Sequence, residues 1–377
     1  MATEGTPLGE CRLRSKACPV FWTERHLKDT SMSSSLTTFY SIQQEARDGA
    51  RFLQRDTGTV QIEGRQRAKA LREFISRKGD FTLAEPIDFG LGPILDVHDQ
   101  AYIEFLQDSA LVLKDADDPV VADTFQSKGA QWKSPDTFSS RLSRHSSHSG
   151  TSIDAGTWKS SYWSAQAAIS AISYYLHNRQ PAFALCRPAG HHASSSEFGG
   201  LCFLNNVAIA ATWAMRQGIE KIAILDVDVH HGNGTQEIFY ESDRVFTSSV
   251  HVDPTKVYPI HSGFAEETGR AKGAGQNVNR PLKIGSSLHE WRCSIKDAVD
   301  ELCETQPDLV LVSLGFDFLD SDPVSHFRIP VDAVTDIAAI MQARIPDAVF
   351  FLEGGYNIED TCKAMMLFFR RYMARRR

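Results

Sequence analysis

Short apolar runs alternate with longer amphipathic segments from about residue 183 onward. The apolar runs are rich in β-branched and aliphatic residues, as in strands that are buried on both faces of a parallel sheet. Between the runs, apolar residues recur three and four positions apart, as in helices that pack on a sheet. The pattern predicts strands at FALCRP, KIAILDVDV, RVFTSSVH, DLVLVSLGFD and AVFFLEGGY, and helices at NVAIAATWAMRQG, SLHEWRCSIKDAVDELCET and PVDAVTDIAAIMQA.

This order of elements predicts a layered α/β fold, with a central parallel sheet flanked by helices. The first 180 residues are less regular, with predicted helices at EGRQRAKALREFISRKG and YWSAQAAISAISYYLHNR. We expect a single domain over residues 1–377, with an ordered core from about 15–372. Residues 125–161 are rich in Ser, Gly and basic or His residues, and we expect them to form a surface loop.

Composition and charge narrow the class of protein. The hydrophobic fraction of 42% and the charged fraction of 23% are those of a globular protein. The net charge of -7 argues against broad nucleic-acid binding. The N-terminus is charged where a signal peptide would be apolar, and no segment is long enough to span a bilayer. Seven cysteines without CxxC pairs indicate reduced thiols, so we expect an intracellular protein, cytoplasmic or nuclear, without a membrane partner.

The segment DVDVHHGNG places Asp226, Asp228 and His230 at the end of a predicted strand. These three residues alternate with the period of a strand, so we expect their side chains to share one face. Carboxylate oxygens with an imidazole nitrogen suit a divalent transition metal, and catalytic zinc commonly has three protein ligands. The alternative is that the aspartates only cap the helix that follows.

Three further predicted strands end in residues that carry chemistry. Asp317 follows one strand, the pair His191 and His192 follows another, and Tyr356 follows a third within EGGY. Because ligand sites in parallel sheets lie at the carboxyl ends of the strands, these side chains are expected to converge. Each motif alone is a weak signal, but four such strand ends together favour a metal-dependent active site.

The motifs RPAGHH, GGLCFLNN, DVDVHHGNGTQ, SLGFD and LEGGYN together resemble those of the zinc-dependent histone deacetylase superfamily. The segments VHDQAYIEFL and EGRQRA agree with this resemblance, which covers most of the chain. The sequence around these motifs, such as GFAEETGRAKGAG, is more similar to acetylpolyamine amidohydrolases and class II lysine deacetylases than to class I lysine deacetylases. The resemblance implies an arginase-like α/β domain with zinc held by Asp228, His230 and Asp317.

The same resemblance implies the roles of the surrounding residues. Asp226 is expected to bond to His191, and Asn233 to lie beside His192, so that each imidazole is oriented by a partner. His192 is expected to be the general base and then the general acid, with His191 as an electrostatic partner. Tyr356 is expected to donate to the developing oxyanion.

Structural potassium is a further implication of the resemblance. The matching positions are the main-chain carbonyls of Asp226, Asp228 and His230, the hydroxyl of Ser249 and the carbonyl of Val250. A second, weaker potassium site would use carbonyls near Phe239, Ser242 and Val245.

The substrate tunnel is expected to be lined by Gly200, Leu201 and Tyr258. Many relatives have two aromatic rings there, so Leu201 in one wall position would widen the tunnel. The acidic residue that polyamine enzymes use is replaced at about Gly150, although Asp154 or Glu197 could substitute. The implied reaction is removal of an acetyl or other acyl group from an acetylpolyamine or from acetyl-lysine, and a class II protein lysine deacetylase stays an open alternative.

Two other functions fit parts of the pattern. A binuclear ureohydrolase on the same fold would need further DxD and DxH ligands, where this chain has SLGFDFLDSDP. A non-catalytic interaction module would keep the fold, although every predicted ligand and both histidines are present. Residues 27–62 resemble an insertion loop, which in polyamine relatives builds a dimer, so a homodimer is also expected.

Overall fold

The computed structural model describes residues 35–49, 52–54, 58–60, 63–116, 118–126 and 135–374. Among these residues, eight strands form one sheet in which every neighbouring pair is parallel, and two others form a small antiparallel hairpin. The strands are β1 (Leu36–Phe39), β2 (Phe52–Gln54), β3 (Gly58–Val60), β4 (Phe81–Ala84), β5 (Ala182–Ala184), β6 (Ile222–Asp226), β7 (Val245–Val252), β8 (Asn277–Leu282), β9 (Leu309–Leu314) and β10 (Val349–Leu352). The order in the large sheet is β4-β1-β5-β10-β9-β6-β7-β8.

Helices pack on both faces of this sheet. They are α1 (Arg65–Ser76), α2 (Gly92–Leu95), α3 (Gln100–Val112), α4 (Phe138–His145), α5 (Thr157–Asn178), α6 (Asn206–Arg216), α7 (Asn233–Phe239), α8 (Leu288–Glu304), α9 (Val334–Arg344) and α10 (Ile358–Met373). Short 3-10 turns cover Ile42–Glu45, Ala271–Gly273 and Val331–Ala333.

Two apolar cores lie on opposite faces of the sheet because successive strand residues point to opposite sides. In β9, Val310 and Val312 join the core formed with α1, α8, α9 and α10. The alternate residues Leu309 and Leu311 join the core formed with α3, α5 and α6. Burial on both faces explains why the central strands β6, β9 and β10 are almost continuously apolar in the sequence. The predicted architecture, a parallel sheet flanked by helices, is therefore confirmed.

Three details differ from the sequence-based expectations. Strand β6 ends at Asp226, so Asp228 and His230 lie in the following loop and do not share a strand face with Asp226. Residues 27–62, expected as an insertion loop, include β1, which pairs with β4 and β5 inside the sheet. The part of this segment before residue 35 lies outside the described residues. The serine-rich 125–161 segment includes α4, the start of α5 and the fully buried Ile153, so it is not simply a surface loop.

No described helix combines the length and the apolar character needed to cross a membrane. The single-domain organisation over 1–377 stays a prediction.

Candidate active site

The loops that follow β5, β6, β7, β9 and β10 meet at the carboxyl edge of the sheet and surround one pocket. This is the edge at which parallel sheets place their ligand sites, because all strand ends face the same way. The pocket is lined by His148, Ala189, His191, His192, Gly200, Leu201, Asp228, His230, Tyr258, Val324, Gly354 and Tyr356. Residues that lie up to about 200 positions apart in the chain are thus brought together.

Asp228, His230 and Asp317 form a compact cluster at this pocket. His230 Nδ1 lies 3.3 Å from Asp228 Oδ1 and 3.2 Å from Asp317 Oδ2. Ligand atoms about 2.0–2.1 Å from a tetrahedral zinc ion lie about 3.3–3.4 Å from one another, which matches these separations. The donor set, two carboxylates and one imidazole, therefore fits a zinc ion in both chemistry and spacing.

Backbone amides hold the two carboxylates of the cluster in place. Asp228 accepts hydrogen bonds from the amides of His230 at 2.9 Å and Gly354 at 2.8 Å. Asp317 accepts one from the amide of Val229 at 3.0 Å. A side chain at position 354 would collide with both carboxylates, so the glycine of LEGGYN is needed for this close approach. The ligands are thus oriented by the fold itself.

The electrostatics of the cluster favour a cation. Burial and the charge of Asp228 raise the pKa of Asp317 to about 7. Although burial lowers the pKa of His230, its contacts with the two carboxylates outweigh burial and raise that pKa to about 9. Two buried carboxylates in contact are costly without positive charge between them. A divalent ion held by these three residues would supply that charge.

Each of the paired histidines has one side-chain partner at Nδ1. His191 Nδ1 lies 2.9 Å from Asp226 Oδ2, and His192 Nδ1 lies 2.7 Å from Asn233 Oδ1. Because the amide oxygen of Asn233 only accepts, the neutral ring of His192 carries its proton on Nδ1 and keeps a lone pair on Nε2. Both expected partners are in the places that the sequence predicted.

The two histidines differ in charge for physical reasons. Burial lowers the pKa of His191, but the carboxylates of Asp226, Asp228 and Glu353 outweigh it and hold the pKa well above its usual value. Burial lowers the pKa of His192 well below its usual value, and the neighbouring imidazoles of His191 and His230 lower it further. The surroundings therefore favour the cationic form of His191 and the neutral form of His192.

The loop that carries Tyr356 is fixed from two sides. Arg67, which is buried in α1, donates to the carbonyls of Gly355 at 2.6 Å and Glu353 at 2.9 Å, and its guanidinium lies 5.1 Å from the centre of the Tyr356 ring. Asp322 accepts a hydrogen bond from the Tyr356 amide at 2.6 Å. Burial raises the pKa of Tyr356 well above its usual value, so the phenol keeps its proton.

Sequence reasoning missed the roles of Asp322 and Glu353. The Glu353 carboxylate accepts from the amides of Gly190 at 2.7 Å and His191 at 3.2 Å, and from the Ser313 hydroxyl at 3.0 Å. Burial raises the pKa of Glu353 to about 7. Glu353 is part of the motif LEGGYN. A carboxylate at the end of a predicted buried strand was the sequence signal that could have identified its role. It holds the loop that carries the paired histidines.

The three predicted tunnel residues, Gly200, Leu201 and Tyr258, all line the pocket. Gly200 has a φ of +52°, and a side chain there would collide with the ring of His192. The pocket lining among described residues does not include Asp154 or Glu197, which were considered as substitutes for a missing acid. Asp154 instead accepts hydrogen bonds from nearby main chain and from the Thr157 hydroxyl.

The residues whose main-chain carbonyls and hydroxyl are expected around a potassium ion include two members of the metal cluster, Asp228 and His230. Asp226 in β6 pairs in register with Ser249 in β7, and Val250 follows in the same strand. The Ser249 hydroxyl lies 2.8 Å from His251 Nδ1. A potassium ion at this place stays a prediction.

The model of the histone deacetylase domain family matches residues 61–372. Acetylpolyamine amidohydrolase 1 of Pseudomonas aeruginosa is 40% identical over 279 residues, which are 73% of this chain and 80% of that protein. Acetylpolyamine amidohydrolase 2 of the same organism is 34% identical over 327 residues, which are 86% of this chain and 95% of that protein.

Among solved structures, the crystal structure of an acetylpolyamine aminohydrolase from Burkholderia pseudomallei is similar with a TM-score of 0.83 and 34% identity. The match covers 90% of this chain and 98% of that one.

Proposed function

The chain belongs to the histone deacetylase family and is a deacetylase, and we propose that it uses zinc to hydrolyse the amide bond of acetylated polyamines. The observation that supports this proposal most directly is that the cluster of Asp228, His230 and Asp317 lies at one pocket with His192 and Tyr356. The substrate class is supported by relatives that are named acetylpolyamine amidohydrolases and are 40% and 34% identical to this chain.

The metal cluster supplies the binding site for the ion. Zinc held there would make a water molecule more acidic and the acyl carbon more electrophilic. Asp228 and Asp317 provide negative charge, and His230 provides a nitrogen ligand whose orientation is set by the loop after β6. The chain's own task is then to move protons and to stabilise charge on the reacting amide.

Proton transfer is assigned to His192. Its Nε2 holds a lone pair because Asn233 fixes the proton on Nδ1, so Nε2 can accept a proton from the attacking water and later deliver it to the leaving amine. His191 is paired with Asp226, which raises its pKa and favours its cationic form, so it would act as an electrostatic partner and not as a second base. The two adjacent imidazoles thereby have different roles.

Tyr356 is assigned the role of hydrogen-bond donor to the oxyanion. Burial raises its pKa, and the carboxylates of Asp317 and Asp228 raise it further against the opposing effect of Arg67, so the phenol stays a donor. A preorganised donor of this kind stabilises the charge that develops on the acyl oxygen in the transition state. Arg67 and Asp322 hold the Tyr356 loop in position from opposite sides.

Replacing Asn233 by aspartate is expected to move the acid limb of the pH profile upward. Catalysis needs neutral His192, so kcat/KM falls as the pH drops through the pKa of that residue. A carboxylate 2.7 Å from Nδ1 would favour the imidazolium and raise this pKa. The measurement is kcat/KM against pH for wild type and Asn233→Asp, with Asn233→Gln as the neutral control. An unshifted acid limb in Asn233→Asp would contradict the assignment of His192 as the base.

The proposed function is tested by turnover. Zinc-loaded protein is offered N-acetylputrescine, N8-acetylspermidine and an acetyl-lysine peptide, and product amine is quantified. Faster hydrolysis of the small amines supports the proposal, whereas preference for the peptide would make the chain a protein lysine deacetylase of class II type. Absence of turnover on every acetylated amine would refute the proposal.

Three further features stay predictions alongside this function. A structural potassium ion would bind the main-chain carbonyls of Asp226, Asp228 and His230 with Ser249 and Val250. A second potassium ion near Phe239 is weaker. A homodimer is implied by the resemblance. The segment that suggested it, residues 27–62, contains the short strands β1, β2 and β3 and also residues outside the described ranges.

A further inference from the structure

Asp322 lies between two of the loops that form the pocket, the loop after β9 and the loop after β10. Its side chain is buried. Its Oδ2 accepts hydrogen bonds across to the second loop, from the amides of Tyr356 at 2.6 Å and Asn357 at 3.0 Å. Its Oδ1 accepts one within its own loop, from the amide of Val324 at 3.1 Å. A single carboxylate therefore holds the backbone of both loops.

The two loops also contact each other in the opposite direction. The side chain of Asn357 donates from Nδ2 to the carbonyl of Ser321 at 3.2 Å. Each loop contributes one residue to the lining of the pocket, Val324 from the first and Tyr356 from the second. The position of the pocket wall at Val324 and the position of the Tyr356 backbone are therefore linked through buried hydrogen bonds.

Tyr356 depends on such partners because its own sequence restrains it little. It follows Gly354 and Gly355, and Gly355 has a φ of +119°, which other residues rarely adopt. Arg67 donates to the carbonyl of Gly355, so it acts on the chain before the tyrosine. Asp322 accepts from the amide of the tyrosine itself. A hydrogen bond to a carboxylate is stronger than one between neutral groups, so this contact is well suited to fix the residue.

We propose that Asp322 is a positioning residue that couples the pocket wall at Val324 to the oxyanion donor Tyr356, so that the phenol is in place when the wall loop is in place. This inference rests on the proposed function and deepens it, because it assigns a residue that acts on the reaction through the tyrosine alone. A donor that is displaced stabilises the transition state less and leaves substrate binding nearly unchanged. Loss of Asp322 is therefore expected to lower kcat, and by no more than loss of the phenol hydroxyl does.

The test is a double-mutant cycle between Asp322→Asn and Tyr356→Phe. Asparagine has nearly the same shape but one acceptor oxygen in place of two, so one of the loops loses its partner. In the presence of the tyrosine, kcat is expected to fall about tenfold, with little change in KM and an unchanged zinc content. In Tyr356→Phe, the same substitution is expected to lower kcat by less than about twofold, because the hydroxyl that Asp322 positions has already been removed.

Asp320→Asn is the matched control, because Asp320 is an exposed aspartate on the same loop. It is expected to leave kcat unchanged with either residue at position 356. Equal losses from Asp322→Asn in the two backgrounds would indicate a general loss of active protein and would overturn the proposal, as would an unchanged kcat. Either result leaves the deacetylase function intact.

The remaining outcomes separate the inference from the function on which it rests. If Tyr356→Phe keeps the wild-type kcat, there is no donor to position and the proposal is wrong. If wild type hydrolyses no acetylated amine, the proposed function fails and the inference fails with it. If Asp322→Asn does not fold, Asn357→Ser tests the same coupling, because serine can still cap the N-terminus of α10 but cannot replace the donor to Ser321. It is expected to lower kcat by a smaller factor, again only when the phenol hydroxyl is present, and an equal loss in Tyr356→Phe would overturn the proposal.

Discussion

Tyr356→Phe is expected to lower kcat by about a hundredfold or more, with a much smaller effect on KM. The phenol donates to a charge that develops only in the transition state, and loss of one such donor typically has an effect of this size. The ring itself is retained, so its contact with Arg67, whose guanidinium lies 5.1 Å away, is preserved. The measurement is steady-state kinetics on the acetylated amine that wild type hydrolyses fastest.

Tyr240→Phe is the matched control, because its half-buried ring lies outside the residues that line the pocket. We expect wild-type kcat from this variant, and an equal metal content in all three proteins. A fall in kcat of less than about tenfold in Tyr356→Phe would show that another group stabilises the oxyanion. His191, whose pKa the neighbouring carboxylates raise, is the candidate that would then replace it.

Asp317→Asn is expected to remove most of the activity by weakening metal binding. Changes to residues that merely orient a metal ligand typically lower metal affinity or activity by about 10–100-fold. We expect the loss of a ligand's own charge to have a larger effect than this. The asparagine has nearly the same shape and can still accept the hydrogen bond from the Val229 amide, which is 3.0 Å long in wild type. The fold should therefore be retained. The measurement is zinc content and activity after dialysis against graded concentrations of a chelator.

Asp320→Asn provides the control on the same loop, because Asp320 is exposed and lies outside the cluster. It should keep both zinc and activity. Wild type stripped of metal should lose activity and unfold at a lower temperature, and added zinc should restore both, since an ion that binds only the folded state stabilises it. Full activity in metal-free wild type would contradict the assignment of Asp228, His230 and Asp317 as ligands of a catalytic ion.

Much of the sheet was predictable because its strands are buried on both faces. The runs that became β5, β6, β9 and β10 are almost continuously apolar, and the polar residues that follow them mark the active edge. The N-terminal strands β1 and β4 were not predicted, since threonines interrupt the apolar residues of LTTF and FTLA and β4 is partly exposed. Their pairing depends on neighbours that are distant in the chain.

The sequence by itself determined the family, the class of fold and the set of reactive side chains, because strand burial and ligand chemistry leave local signatures. The family resemblance implied how those side chains divide their tasks, and the contacts among them came only from the tertiary structure. It showed that the strand ends at Asp226, so that this residue faces His191 while Asp228 turns to the metal cluster. It also brought His148 onto Tyr258 and Glu353 under the histidine loop. The last two contacts join residues more than a hundred positions apart, and no local pattern of polar and apolar residues specifies them.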